Sequence, residues 1–329
     1  MRYFDFHCDT LMRQYALQNA GPTDETLWHN KGQIDLERLI QNHAAAQCFA
    51  AYIWLVDKPV KEDLFHDALA MADLLYKALE EHPEAAAYAG DYDSYRKNMA
   101  EGKLSAFLTL EEGGILEGQL SRLDTLYQKG FRIITLTWNY ENCIGYPNCA
   151  GYPEADDRFR SCGLKPFGLD VVERMEELGI IVDVSHLSDA GFEDVWNVSK
   201  RPFLATHSNA RAITDHDRNL TDDMIRKLAE RGGVTGLNFC GDFASPDHHS
   251  TADALAHQAR YLINKGGSEF LCLGTDFDGI ETDLEISDVS KIHLLVDAME
   301  RNGFTDEEIE AVCWKNAEKF IRNYWGSSE

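Results

Sequence analysis

Eight short apolar runs alternate with stretches of helical periodicity along this 329-residue chain. The runs are Tyr3–Cys8, Ala46–Leu55, Leu104–Leu110, Arg132–Trp138, Ile180–Ser185, Pro202–Thr206, Val234–Phe239 and Phe270–Thr275. Strands separated by helices pair in parallel, because each crossover returns the chain to the same end of the sheet. Several runs are continuously apolar, as strands covered on both faces must be. Eight parallel strands is the number that closes a barrel. The expected fold is therefore α/β, a TIM-like (β/α)8 barrel. No linker or low-complexity segment interrupts the rhythm, and one domain over residues 1–329 is expected.

The intervening segments carry helix signals. Leu64–Glu81 repeats its apolar residues on one face, with Leu64, Ala68, Met71, Leu75 and Leu79 among them. Leu169–Leu178 ends at Gly179, a residue suited to a left-handed cap. Ser188–Asp189 and Thr221–Asp222–Asp223 open helices as N-caps. The tail Thr305–Tyr324 begins TDEE, a capping-box pattern. The stretch Asn139–Gly163 is long and rich in Gly, Pro, Asn and Tyr. It follows the fourth run, so it is expected at the active face, where long loops are often functional.

Composition narrows the partners. The net charge is −25 and no basic cluster is present, which argues against nucleic acid and anionic lipid. The opening MRYFDFHCDT enters a strand without an apolar leader, and no run of about 18 apolar residues spans a bilayer. No membrane association and a cytoplasmic location are expected. The eight cysteines show no CxxC pair and read as free, packed thiols. Cys143, Cys149 and Cys162 share one loop, but their spacing fits no zinc template.

Metal-seeking side chains recur at the ends of the runs. In a barrel of this type those ends build the active face, so residues far apart in sequence meet around one centre. His7 and Asp9 form an H-x-D in which positions i and i+2 point the same way. Glu111 and Glu112 precede Gly113–Gly114; only one of them can enter the barrel, and periodicity leaves open which. DVSH ends in His186 and LATHSNAR contains His207, each after an apolar strand and before a helix. Asp183 lies three residues before His186, on the other face, and reads as structural. LGTDFDG places Asp276 and Asp278 after the eighth run. Singly, each is a common strand-end polar residue. Together they make a ligand set rich enough for a two-metal hydrolytic site. Arg211 and Arg218 follow His207, where a guanidinium can grip a carboxylate in a fork.

With these motifs in order, FHCDTL, LEEGG, LTWN, DVSH, THSNAR, RNLTDD and GTDFDG, the chain resembles the membrane (renal) dipeptidase family of zinc metallopeptidases over most of its length. The resemblance implies two Zn²⁺ ions on a (β/α)8 barrel. It implies His7 and Asp9 on the first metal, Glu112 bridging both, and His186 and His207 on the second. It further implies that Asp276 handles the proton and that Arg218 binds the substrate's terminal carboxylate. A homodimer is a family expectation.

One position departs from the family. Well-known members read LTH in the fourth strand motif, and that His contacts substrate; here Trp138 stands in its place. Trp138 and its neighbour Asn139 are therefore candidate substrate contacts, with Tyr140 and Asn142 as further sources of a donor. The expected activity is hydrolysis of small dipeptides, including those with a C-terminal D-residue, by a metal-bridging hydroxide. The alternative is another amide or ester hydrolase on the same barrel, an N-acyl-amino-acid amidase or a lactonase. A non-catalytic barrel is disfavoured, because a structural zinc site is closed by protein ligands whereas this oxygen-rich set suits bound water.

Overall fold

The computed structural model describes residues 1–55, 63–148, 161–280 and 284–326. Among them are nine strands: β1 (Tyr3–Asp5), β2 (Ala44–Tyr52), β3 (Ala86–Tyr88), β4 (Leu104–Glu111), β5 (Phe131–Thr135), β6 (Ile181–Asp183), β7 (Leu204–Ala205), β8 (Val234–Leu237) and β9 (Leu271–Leu273). All strand pairings are parallel. The order β2-β1-β9-β8-β7-β6-β5-β4 closes on itself through a β2–β4 ladder from Ala46↔Ser105 to Tyr52↔Glu111. The result is the expected eight-stranded barrel. Each of the eight apolar runs overlaps one barrel strand, with ends that differ by a few residues.

The ninth strand was not expected. β3 pairs with the first residues of β4, Leu104–Ala106, on the edge that β5 takes over from Leu108 onward. Its sequence, AAY, is too short to show a period. It fills the foot of the barrel where β5 has not yet begun.

Side-chain alternation separates two cores. On β4, Leu104, Ala106, Leu108 and Leu110 belong to the outer layer between strands and helices. Phe107 points inward and joins Phe4, Phe6, Ile133, Ile181 and Cys272 in the barrel's interior. There Phe4 and Phe107 stack at 5.5 Å, and Phe6 meets Phe320 edge-on at 6.1 Å. Phe320 and Tyr324 belong to the last helix, Asn316–Trp325, which plugs the foot of the barrel. A fully buried Phe contributes about 1.5–3 kcal/mol of transfer free energy, so an aromatic foot holds the barrel while the opposite mouth stays polar.

The predicted helices form, though the one expected over Leu169–Leu178 begins earlier, at Pro166. Helix Leu64–Glu81 buries Ala68, Met71, Leu75 and Leu79. Helix Pro166–Leu178 stops at Gly179, whose φ is +78°. Ser188 accepts from the Gly191 amide and Thr221 from the Met224 amide, each satisfying a first-turn donor. Thr305 and Glu308 make the capping box. The tail differs from one continuous helix: a π-helical stretch, Ala311–Lys315, separates Asp306–Glu310 from Asn316–Trp325. The middle of the long loop after β5, including Cys149, lies outside the described residues. The other seven cysteines are free.

Candidate active site

At the mouth of the barrel, five of the expected strand-end residues converge. His7 and Asp9 follow β1, His186 follows β6, His207 follows β7 and Asp276 follows β9. The sixth member is Glu111, the last residue of β4, not Glu112. His7 Nε2 lies 3.1 Å from Glu111 Oε2 and 3.6 Å from Asp9 Oδ2. His186 Nε2 and His207 Nε2 lie 2.9 and 3.7 Å from Glu111 Oε1. Glu111 thus presents one oxygen to each half of the cluster. Two overlapping donor groups result, His7–Asp9–Glu111 and Glu111–His186–His207.

Glu112 faces the other way. Its carboxylate accepts from the amides of Gly114 (2.7 Å) and Trp138 (2.8 Å) and from the Asn142 side chain. Alternation explains the correction: Phe107, Thr109 and Glu111 share the inward face of β4, and Glu112 follows the outward one. Burial raises the Glu112 carboxyl to about 7 against the pull of these hydrogen bonds. Its work is to tie the loop after β4 to the loop after β5.

Hydrogen bonds fix the tautomers of two histidines. His186 Nδ1 sits 2.8 Å from Asn139 Oδ1, an acceptor, so Nδ1 carries the hydrogen. His207 Nδ1 lies 2.7 Å from Thr206 Oγ1, whose own hydrogen goes to Asp183 Oδ2. That ring, too, is protonated at Nδ1. Burial holds both imidazoles well below the usual histidine range, so they stay neutral. Their Nε2 lone pairs consequently face each other across 3.0 Å. Such an arrangement is repulsive unless a cation lies between them. His7 Nε2, Asp9 Oδ1 and Glu111 Oε1 are likewise buried without hydrogen-bond partners among the described residues. The donor set fits divalent metal ions.

Without a cation, burial opposes charge on His7, but Glu111 and Asp9 outweigh it and raise the imidazole well above its ordinary range. Burial raises Glu111 to about 7 and Asp276 to about 6, against the lowering effect of His7.

Asp276 has its Oδ2 held by Asn238 at 2.9 Å and its Oδ1 turned to the cluster, 3.8 Å from His7 Nε2. Its backbone, like that of His186, is left-handed, with φ of +64° and +68°. That conformation is costly for a side-chain-bearing residue and concentrates at functional sites. The backbone comes close here: a Cβ on Gly279 would lie 2.0 Å from Asp9 Oδ2. Asp278 is occupied otherwise, accepting from Thr10 and from the Gln33 amide.

The two arginines separate cleanly. Arg211 is locked in a fork with Asp189 at 2.7 and 2.8 Å. Arg218 is 2% exposed, and its Nε and Nη1 have no partner among the described residues. Arg218 lines one cavity of about 1260 Å³ together with Asp9, Glu111, His186 and Asp276 of the cluster. Trp138 lines it too, in an aromatic group with Tyr52, Trp54 and Tyr140 at 5.1–5.3 Å between ring centres. Asn139 borders the cavity, but its side-chain oxygen is committed to His186. Asn142 is spent on Glu112 and the Leu136 carbonyl.

Of the two supports, sequence reading took Asp183 as structural and overlooked Asp5. Asp183 accepts from Thr135, Thr206 and the amides of Ser185 and Thr206. Asp5 repeats the device one barrel side away, accepting from the His7 amide and from the Thr275 amide and hydroxyl. The available signal was an Asp as the last residue of a strand, with a Thr at or just past the end of a neighbouring strand.

A model of the membrane dipeptidase family, peptidase family M19, matches residues 1–324. A metallopeptidase from Rhodobacter sphaeroides, solved with a phosphinate mimic of the dipeptide L-Ala-D-Ala, superposes with a TM-score of 0.89 at 27% identity, covering 99% of both chains. Dipeptidase AC, a metallopeptidase of family M19, gives 0.90 at 28% identity and the same coverage. The dipeptidase tcpJ of Claviceps purpurea is 29% identical over 97% of this chain and 73% of its own. Together with a buried, doubly grouped metal-ligand cluster at the mouth of the barrel, these matches place the chain in the membrane dipeptidase family of metallopeptidases.

Proposed function

We propose that this protein hydrolyses small dipeptides, including those with a C-terminal D-residue. The observation that carries the reading is Arg218. A buried guanidinium with unpaired Nε and Nη1, sharing a cavity with the metal cluster, suits one free carboxylate beside a scissile bond. A dipeptide supplies both at short separation; a longer peptide moves its carboxylate away. The L-Ala-D-Ala mimic bound by the Rhodobacter relative supports tolerance of the D-residue.

Two zinc ions are the proposed cofactors, one held by His7, Asp9 and Glu111 and one by Glu111, His186 and His207. When bound, such a pair lowers the pKa of water and polarises the scissile carbonyl. Asp276 takes the attacking water's proton at Oδ1 and returns it to the leaving amine nitrogen. Asn238 fixes its other oxygen, so the carboxylate keeps one aim through both transfers. Arg218 holds the substrate's carboxylate, and Trp138 walls the cavity beside His186 at 6.1 Å. The proposal covers one catalytic domain over 1–329 and a homodimer without nucleic-acid partners. Free, largely buried thiols support a cytoplasmic setting. No helix among the described residues is long and apolar enough to cross a membrane.

The test is the initial rate of the zinc-loaded protein on L-Ala-L-Ala, L-Ala-D-Ala and N-acetyl-D-Ala, with and without chelator. Chelator-sensitive cleavage of the free dipeptides alone is expected. Cleavage of only the acetylated amino acid would replace this reading with an amidase.

A further inference from the structure

The cavity over the cluster encloses about 1260 Å³, above the roughly 300–1,000 Å³ of ordinary ligand pockets. Its lining continues beyond the strand ends, between two helices. Helix Thr10–Ala20 contributes Met12, Tyr15, Ala16 and Asn19, whose i, i+3, i+4, i+7 spacing is one helix face. Helix Leu64–Glu81 contributes Leu64, Asp67 and Met71, again one face. The Tyr15 hydroxyl donates to Asp67 Oδ1 at 2.7 Å and joins the two walls. Asp67 Oδ2 takes no hydrogen bond among the described residues, and the residue is part-exposed to the groove.

Barrel order gives this groove a direction. β7 and β2 are four strands apart whichever way the ring is followed, so they stand opposite each other. Arg218 follows β7, and helix Leu64–Glu81 follows β2. A dipeptide with its carboxylate on Arg218 and its peptide bond over the central cluster points its N-terminal residue at the groove.

The walls then select by chemistry. Met12, Leu64 and Met71 offer an apolar, adaptable passage for a long stem. Among the described residues, seven carboxylates line the cavity against one guanidinium, Arg218, which the substrate's own carboxylate takes. An anionic side chain therefore finds no free cation among the described lining residues, whereas a cationic one reaches Asp67.

We propose that the groove between helices Thr10–Ala20 and Leu64–Glu81 binds the side chain of the substrate's N-terminal residue and selects a long one ending in a cation, as in lysine or arginine. This inference rests on the dipeptidase reading above.

The experiment compares kcat/KM of the zinc-loaded protein on L-Lys-D-Ala, L-Met-D-Ala, L-Glu-D-Ala and L-Ala-D-Ala. Lysine should exceed alanine by about tenfold, from stem burial plus one partly exposed ion pair. It should exceed the near-isosteric methionine by roughly fivefold, and glutamate should fall below alanine. In Asp67→Asn the Lys-to-Met ratio should drop to near one; a ratio is read because misfolding lowers both rates alike. Equal turnover of Lys and Glu substrates, or an unchanged ratio in Asp67→Asn, overturns the groove while leaving dipeptidase activity intact. If Asp67→Asn does not fold, the wild-type series decides alone. Failure to cleave any of the four removes the dipeptidase reading and this inference with it.

Discussion

Two adjacent glutamates carry opposite duties. Glu111 offers its oxygens to both halves of the cluster, and Glu112 satisfies three donors from two loops. Glu111→Gln should lower bound metal below two per chain and cut kcat by at least about a thousandfold, since a shared ligand serves both ions. Glu112→Gln should keep its metal and cost about 1–3 kcal/mol of stability through mismatched buried donors. Metal analysis and urea melts of the two variants separate the roles; metal loss in Glu112→Gln alone would reverse them. Periodicity left the pair open; in the structure Ala106, Leu108 and Leu110 are the aliphatic, helix-facing positions, so odd positions face inward. Family likeness pointed to Glu112, and strand parity is the better guide. The same cluster gives a pH effect. Glu111 and His7 both bind protons more readily than usual in the cation-free protein, Glu111 titrating at about 7. Metal must displace those protons, so affinity should rise with pH through that value, by about tenfold per unit for each proton released. Competition with a chromophoric chelator between about pH 6 and 8 reads this; a flat response would show that the ligands are not protonated.

At the scale of elements, the barrel strands end in turns that aim side chains. His186 and Asp276 each adopt positive φ in the turn three residues past a strand, so the chain swings away while the side chain stays over the mouth. Asp5 and Asp183 staple the turns beneath them to neighbouring strands. Asp183→Asn should weaken the acceptor that orients Thr206 and, through it, His207. Metal affinity should fall by about 10–100-fold, with the far-ultraviolet circular dichroism unchanged. Retained affinity would make Asp183 a purely packing residue. The eight barrel strands were readable because both faces are covered and the apolar runs are long. β3 and the π-helical stretch were not, because three residues and one extra residue per turn leave no periodic trace. The function of Asp183 was hidden for a different reason: its partners Thr135 and Thr206 lie on other strands.

At the scale of the molecule, metal-seeking and acidic residues from the ends of five strands, and Arg218 from the same connection as His207, gather at one barrel mouth. Arg218→Met should raise KM for free dipeptides by about a hundredfold, the loss of a charge-assisted fork. It should harm dipeptide amides much less. Equal losses on both substrates would deny Arg218 its carboxylate. Chelation should lower the Tm by several degrees, because each ion binds only the folded arrangement; an unchanged melt would place the metals outside the fold's stability. The barrel was evident from the rhythm of strands, whereas the cavity's reach between two helices depends on three-dimensional order that no single segment contains. That order also sets a timetable. β9 pairs with β1 at Asp5↔Leu273, and the last helix seals the foot against Phe6. A nascent chain therefore presents His7 and Asp9 long before their neighbour Asp276 has been made. Scavenged ions meet only a partial claw during translation, and the protein commits to its metals as a finished chain.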